Sequence, residues 1–246
     1  MALKEEFETQ GNWLFKYRSF LPISILVIGL FVFIQTNSHS TPSNICNPYF
    51  ATFCLFVSLI GLAIRIYTIG YAPKNTSGRN TTEGQVADTL NTTGIYSVVR
   101  HPLYFGNFFM WLGIALLTEN IWFVVSFILF YWIYYERIMF AEEQFLERKF
   151  GNAYKEWAEK VPAFVPKLGL FNKPTLSFSL RKVLKKEKNG LFAVFLIFTA
   201  FNLIGEWLKN HTHFNYLFLI GCIVTMLIYV ILKIIKMNTA YLNNDR

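Results

Sequence analysis

The sequence predicts an all-α, polytopic membrane bundle of about six spans, one pair of them a helical hairpin. Three observations carry this. Of the 246 residues 54% are apolar, only 15% are charged, and the apolar residues gather in runs approaching the length of a membrane crossing. An ordinary soluble domain has about a quarter of its residues charged, and a hydrocarbon core of ~30 Å takes about 20 residues of helix. Twenty-six phenylalanines add more apolar surface than one core of this size buries. The composition excludes disorder, collagen-like repeats and a disulfide scaffold. Cys46, Cys54 and Cys222 have no metal-ligand spacing and leave one thiol over, so neither a metal site nor a disulfide framework is expected.

The first apolar run, Phe20 to Ile34, follows Lys16 and Arg18. It starts late and no A-x-A cleavage site follows, so it reads as a retained span and not a signal peptide. The second runs from Tyr49 to Tyr71 and is interrupted only by Arg65. Leu103–Leu117 and Ile121–Tyr135, separated by Thr118, Glu119 and Asn120, read as the hairpin of two short spans. Leu191–Leu208 and Phe214–Leu232 complete the set.

Charge placement orients these spans. The stretch from Gln35 to Pro48 carries no Lys or Arg, whereas Ala141 to Asn189 carries close to half of them, and Lys233, Lys236 and Arg246 follow the last span. The positive-inside rule then puts both termini and the two long loops in the cytoplasm. The net charge of +8 reads as topology and anionic-lipid contact, with no nucleic-acid partner. Ser179–Lys188 is a basic amphipathic segment expected to lie along the membrane surface. The sequons at Asn75, Asn80 and Asn91 fall in a loop assigned to the cytoplasm and read as chance matches. Three parts are expected: residues 1–48 with the first span, a core over 49–170, and a basic segment with two spans over 171–246.

The unusual polar residues lie between Ala72 and Arg100 and after Tyr135. Pro102 suits the first turn of a helix, so Arg100 and His101 stand just before a helix N-terminus. Two readings stand there: an anion site built from the guanidinium, free N–H groups and the helix dipole, or an arginine reaching lipid headgroups beside a capping histidine. A helix continuing from Ile121 rises 1.5 Å per residue and carries Glu142 and Glu143 about 30 Å, to the level of Arg100 and His101. Neither glutamate has a basic residue at i+3 or i+4, which weakens the reading of an ordinary solvated face. Glu136 and Arg137 lie deeper, where charge is costly, and Glu136 is the expected partner of Arg65. No dinucleotide, P-loop or common hydrolase motif is present, and His211-x-His213 sits in a short turn without further ligands.

Gly94 through Gly106 resembles the G-x-Y-x-x-V-R-H-P-x-Y-x-G signature of the isoprenylcysteine carboxyl methyltransferase and phospholipid methyltransferase superfamily. Glu142-Glu143-x-x-Leu146, Phe150-Gly151-x-x-Tyr154 and Val161-Pro162-x-x-x-Pro166 resemble its second block, and Gly61-x-x-x-Arg65 an element of the preceding span. Trp157 departs from that block, where a second tyrosine is usual. The likeness covers about Gly61 to Pro166. It implies S-adenosylmethionine as cofactor, bound without a Rossmann domain at the cytoplasmic helix ends, with His101, Tyr104, Glu142 and Glu143 lining the site.

Lys74 through Gly94 is similar to bacterial enzymes that methylate the 1-phosphate of lipid A, which implies a bacterial inner membrane and a lipid partner. By that likeness Arg100 and Arg79 are the expected catalytic residues, with Lys74 and Arg79 on the substrate phosphate. Arg79 equally reads as a solvated loop residue. A prenylcysteine carboxylate or a phospholipid amine are the other acceptors, and a non-enzymatic membrane protein of the same fold is the alternative class.

Overall fold

The computed structural model describes residues 2–39, 48–74, 85–209, 215–239 and 242. Among them are eight helices: α1 (Leu3–Tyr17), α2 (Leu21–His39), α3 (Pro48–Tyr71), α4 (Pro102–Leu116), α5 (Ile121–Phe150), α6 (Asn152–Lys160), α7 (Leu180–Leu208) and α8 (Tyr216–Asn238). No strand accompanies them, only an isolated bridge between Gly94 and Asn172. The all-α membrane architecture is therefore as the sequence predicts.

The spans are fewer and longer than expected. Four helices, α3, α5, α7 and α8, are long and apolar enough to cross a membrane, and α1 with α2 makes a fifth if that pair, bent by 74°, counts as one. The expected hairpin is unequal. Pro102 opens α4 and the chain turns at Leu117, leaving 15 residues, which reach ~22 Å. Asn120 then starts α5, its side chain accepting from the amide of Phe123 at 3.0 Å. That helix runs unbroken for 30 residues to Gly151, whose φ of 56° ends it.

The basic segment Ser179–Lys188 does not lie on the surface as a separate helix. Ser179 caps α7, and the basic residues form the first turns of the same helix that continues into the apolar run. Nothing between them breaks a helix: Gly190 costs propensity but is no proline.

α3 and α4 pack closely and meet at glycines. A Cβ on Gly61 would collide with the Gly106 carbonyl and Met110, and one on Gly113 with Ser58 and the Cys54 carbonyl. Ser58 donates to the Met110 carbonyl across this seam at 2.8 Å. Two apolar clusters flank it: Phe33, Cys54, Leu117, Phe198, Phe201 and Phe218 on one side, and an aromatic group including Phe15, Tyr104, Phe127, Tyr131 and Tyr135 on the other.

The glycine seam predicts a sharp size limit. Gly106→Val drives a side chain into Arg65 and Gly61 and should destabilise by about 1–3 kcal/mol, as overpacking does. Gly169→Ala, where nothing lies within 4 Å, should leave thermal unfolding in detergent unchanged. Equal effects of the two would contradict the seam.

Candidate functional site

Two segments far apart in sequence are laced together below α4. Gly94, at φ 62°, donates to the Asn172 carbonyl at 2.9 Å. The Asn172 amide donates to the Ser97 hydroxyl at 2.8 Å. The Lys167 amide donates to the Val98 carbonyl at 2.9 Å, and the amides of Arg100 and His101 donate to the carbonyls of Pro162 and Ala163 at 2.9 and 3.1 Å. These bonds hold Arg100 and His101 at the N-terminus of α4. The amides of Arg100 and His101 are thereby used within the protein.

α5 delivers the carboxylates to this point. His101 is buried, with Nε2 at 2.9 Å from Glu143 Oε1 and Nδ1 at 3.5 Å from Glu142 Oε2. Arg100 also reaches Glu143 Oε1, at 3.3 Å, and donates to the Ala158 carbonyl at 3.3 Å. Tyr104 stacks on His101 with ring centroids 5.8 Å apart and packs on Tyr135 at 4.7 Å. Burial alone would lower the His101 pKa, but hydrogen bonds and charge from Glu142 and Glu143 outweigh it and raise the value above 6.5. Tyr96, half-buried and near Glu142, is held neutral, its phenol pKa pushed up by desolvation and by the Glu142 charge. Trp157, which departs from the family pattern, donates its indole N–H to the Tyr96 carbonyl at 3.1 Å.

A cavity of about 540 Å³ opens beside this cluster, within the usual range for small-molecule sites. His101, Tyr104, Arg100 and Glu142 line it, with Gln85, Trp157 and the loop up to Asn91. Glu143 is not on the wall; it stands behind, holding His101 and Arg100. Lys74 is exposed and does not line the cavity. Arg79 lies outside the described residues, as do Cys46, Asn75, Asn80, His211 and His213. Arg100 Nε and Gln85 Oε1 are buried without a hydrogen-bond partner. Two residues of the cavity wall thus each carry a polar atom without a partner in the protein.

Sequence reasoning missed the far wall. Arg18, Lys185, Lys186, Glu187 and Lys236 all line the same space. The partner assigned to Arg65 also changes. Glu136 is exposed and pairs with its neighbour Arg137 at 3.3 Å. Arg65 instead grips Glu187 of α7 with two bonds, Nε at 2.9 Å and NH2 at 2.6 Å, and donates NH1 to Asn107 at 2.6 Å. The signal was the single acid within a basic run, at i+5 from Lys182. Among the described residues no three His, Cys, Asp or Glu side chains converge on a metal position.

His101 yields a pH test. Its folded pKa lies above the unfolded value near 6.5, so its stabilisation is complete below that pH and fades as pH rises through the folded value. The melting-temperature gap between wild type and His101→Gln should therefore narrow as pH rises from about 6.5 into the alkaline range. A gap constant across that range would contradict a charged His101.

Residues 50–153 match the phospholipid methyltransferase family. The chain is 35% identical over 112 residues to the nickel-cobalt-cadmium resistance protein NccN of Alcaligenes xylosoxydans xylosoxydans, covering 45% of this chain and 49% of that one. It is 40% identical over 78 residues to the protein-S-isoprenylcysteine O-methyltransferase of Schizosaccharomyces pombe, covering 31% and 33%. With the same enzyme of Saccharomyces cerevisiae the identity is 30% over 137 residues, 56% of each chain. The chain thus spans about half or less of the length of these relatives. No solved structure matches it. Arg65, Arg100, His101, Glu142 and Glu143 all lie within the stretch that matches the phospholipid methyltransferase family.

Proposed function

We propose that the chain is an S-adenosylmethionine-dependent methyltransferase of a bacterial inner membrane, with both termini cytoplasmic, that transfers a methyl group to a lipid phosphate, the 1-phosphate of lipid A. The observation that carries this reading is the charge inventory of one cavity. Six Lys and Arg residues line it (Arg18, Arg65, Arg100, Lys185, Lys186 and Lys236) against two carboxylates, Glu142 and Glu187.

The residues fit the cofactor. Glu142 is a carboxylate on the wall for its positive groups, and Tyr104, Phe145 and Trp157 offer apolar faces for a purine. The unpartnered Arg100 Nε is a donor for a carboxylate or a phosphate oxygen. S-adenosylmethionine, when bound, supplies a methyl carbon on positive sulfur; a phosphate oxygen takes that carbon as the carbon–sulfur bond breaks, and its electron pair stays with sulfur. No proton moves in that exchange, so no general base is needed. The protein's task is positioning and exclusion of water. His101, fixed between Glu142 and Glu143, holds both carboxylates in place, and Glu143 anchors Arg100. A wall this rich in cations favours an acidic acceptor. An amine would first have to lose a proton and would be repelled while charged.

Two results are expected. Glu142→Gln should weaken S-adenosylhomocysteine binding to the purified protein about tenfold, ~1.4 kcal/mol, with thermal stability retained. Mass spectrometry of lipids from cells with and without the gene should show loss of one methylene mass from lipid A phosphate. Unchanged cofactor affinity removes Glu142 from the site; a shift in a different lipid keeps methyl transfer and replaces the acceptor.

A further inference from the structure

The segment that closes the cavity lies outside the stretch shared with the family, which ends at residue 153. α7 enters through its basic turns, and these are fixed at both ends. Ser179 donates its amide to the Gly70 carbonyl at 2.9 Å. Phe178 packs edge-on against Tyr71, with ring centroids 5.3 Å apart, in the space left by Gly70. Lys182 is buried and donates its ammonium to the carbonyls of Ala72 and Pro73, the latter at 2.8 Å. Five residues on, Glu187 is held by Arg65.

Between these anchors, Lys185 and Lys186 fall at i+3 and i+4 from Lys182, on the same helix face. Both are half-buried and both line the cavity. Lys236, in the last turn of α8, lines it too, and with Lys185 acts electrostatically on Lys188. Arg18 comes from the end of α1, its guanidinium 3.9 Å above the Phe15 ring, close enough to Tyr104 and Tyr135 to influence both electrostatically. Cations gathered along one wall of a cleft raise the positive potential inside it, which favours an anionic ligand. Lys supplies compact, strongly hydrated charge suited to phosphate, and the Arg fork adds directional donors.

We propose that Lys185 and Lys186 of α7, with Lys236 of α8 and Arg18 of α1, form a phosphate-binding subsite that seats the acidic headgroup of the lipid acceptor beside the methyl donor. This rests on the methyltransferase reading and deepens it. The cofactor end of the cavity comes from the family region, and the acceptor end from segments on either side of it, the end of α1 before it and α7 and α8 after it. Lys74, expected on the phosphate, does not line the cavity.

The test uses the purified full-length chain in detergent and a fluorescent phosphatidic acid, which carries a phosphate monoester. The wild type should bind it in a salt-sensitive manner. K185Q/K186Q should weaken that binding at least tenfold while S-adenosylhomocysteine affinity stays within about twofold, a tenfold change being ~1.4 kcal/mol. Lys185→Arg with Lys186→Arg should keep the binding. Unchanged phosphatidic acid affinity in K185Q/K186Q would overturn the subsite. So would loss of both ligands together, which would mark the lysines as structural. Equally tight, equally lysine-dependent binding of labelled oleate would overturn the phosphate assignment in favour of a carboxylate. If the wild type binds phosphatidic acid through these lysines but not S-adenosylhomocysteine, the subsite stands and the methyltransferase reading fails.

Discussion

An arginine in the middle of an apolar helix has to find a partner, and in this chain the partner sets the architecture. Arg65 lies within α3, where an unpaired charge costs several kcal/mol at the least. Glu187 meets it with both carboxylate oxygens and Asn107 takes a third donor. The pair joins α3 and α4, both in the family region, to α7, which is not. Because α7 is one helix from Ser179 onward, fixing Glu187 also fixes the basic turns that precede it and the two spans that follow. The cavity has its far wall for this reason.

The near wall depends on a second balance of charge. His101 and Arg100 face Glu142 and Glu143, and backbone bonds to Pro162 and Ala163 prevent the loop from drifting away. Each side chain in this group is costly to bury alone and inexpensive together, so the cluster forms as a unit. One end of the resulting cavity carries the histidine–carboxylate pair and the other a group of lysines. That asymmetry suits a ligand pair of opposite charge, a cationic methyl donor and an anionic acceptor, in the proposed reaction.

Much of this was legible in the sequence, for physical reasons that also explain the rest. The apolar runs gave the helices because period and length suffice to identify a span. Glu142 and Glu143 could be brought level with His101 by counting rise along one helix. Arg65 was recognisable as costly, but its partner lies 122 positions away in sequence, and the one local sign, a single acid inside a basic run, does not say which cation it meets. The basic run before α7 reads as a surface segment from composition alone. Only the contacts of Lys182 with carbonyls of residues 72 and 73 turn it inward. Among the described residues the long apolar helices number four or five and not six, because α4, whose 15 residues match the run read as a short span, is under crossing length and α2 counts only together with α1 across a 74° bend.

The most direct test of this account is a double-mutant cycle on Arg65 and Glu187, read as unfolding free energy in detergent. Removing one partner of a buried pair costs about 3–5 kcal/mol, and replacing both by apolar residues of similar volume is often neutral. Arg65→Met and Glu187→Met should each be strongly destabilising, and the double variant should recover most of the loss. Two single effects that simply add in the double variant would contradict the pairing, and with it the placement of α7 over the cavity.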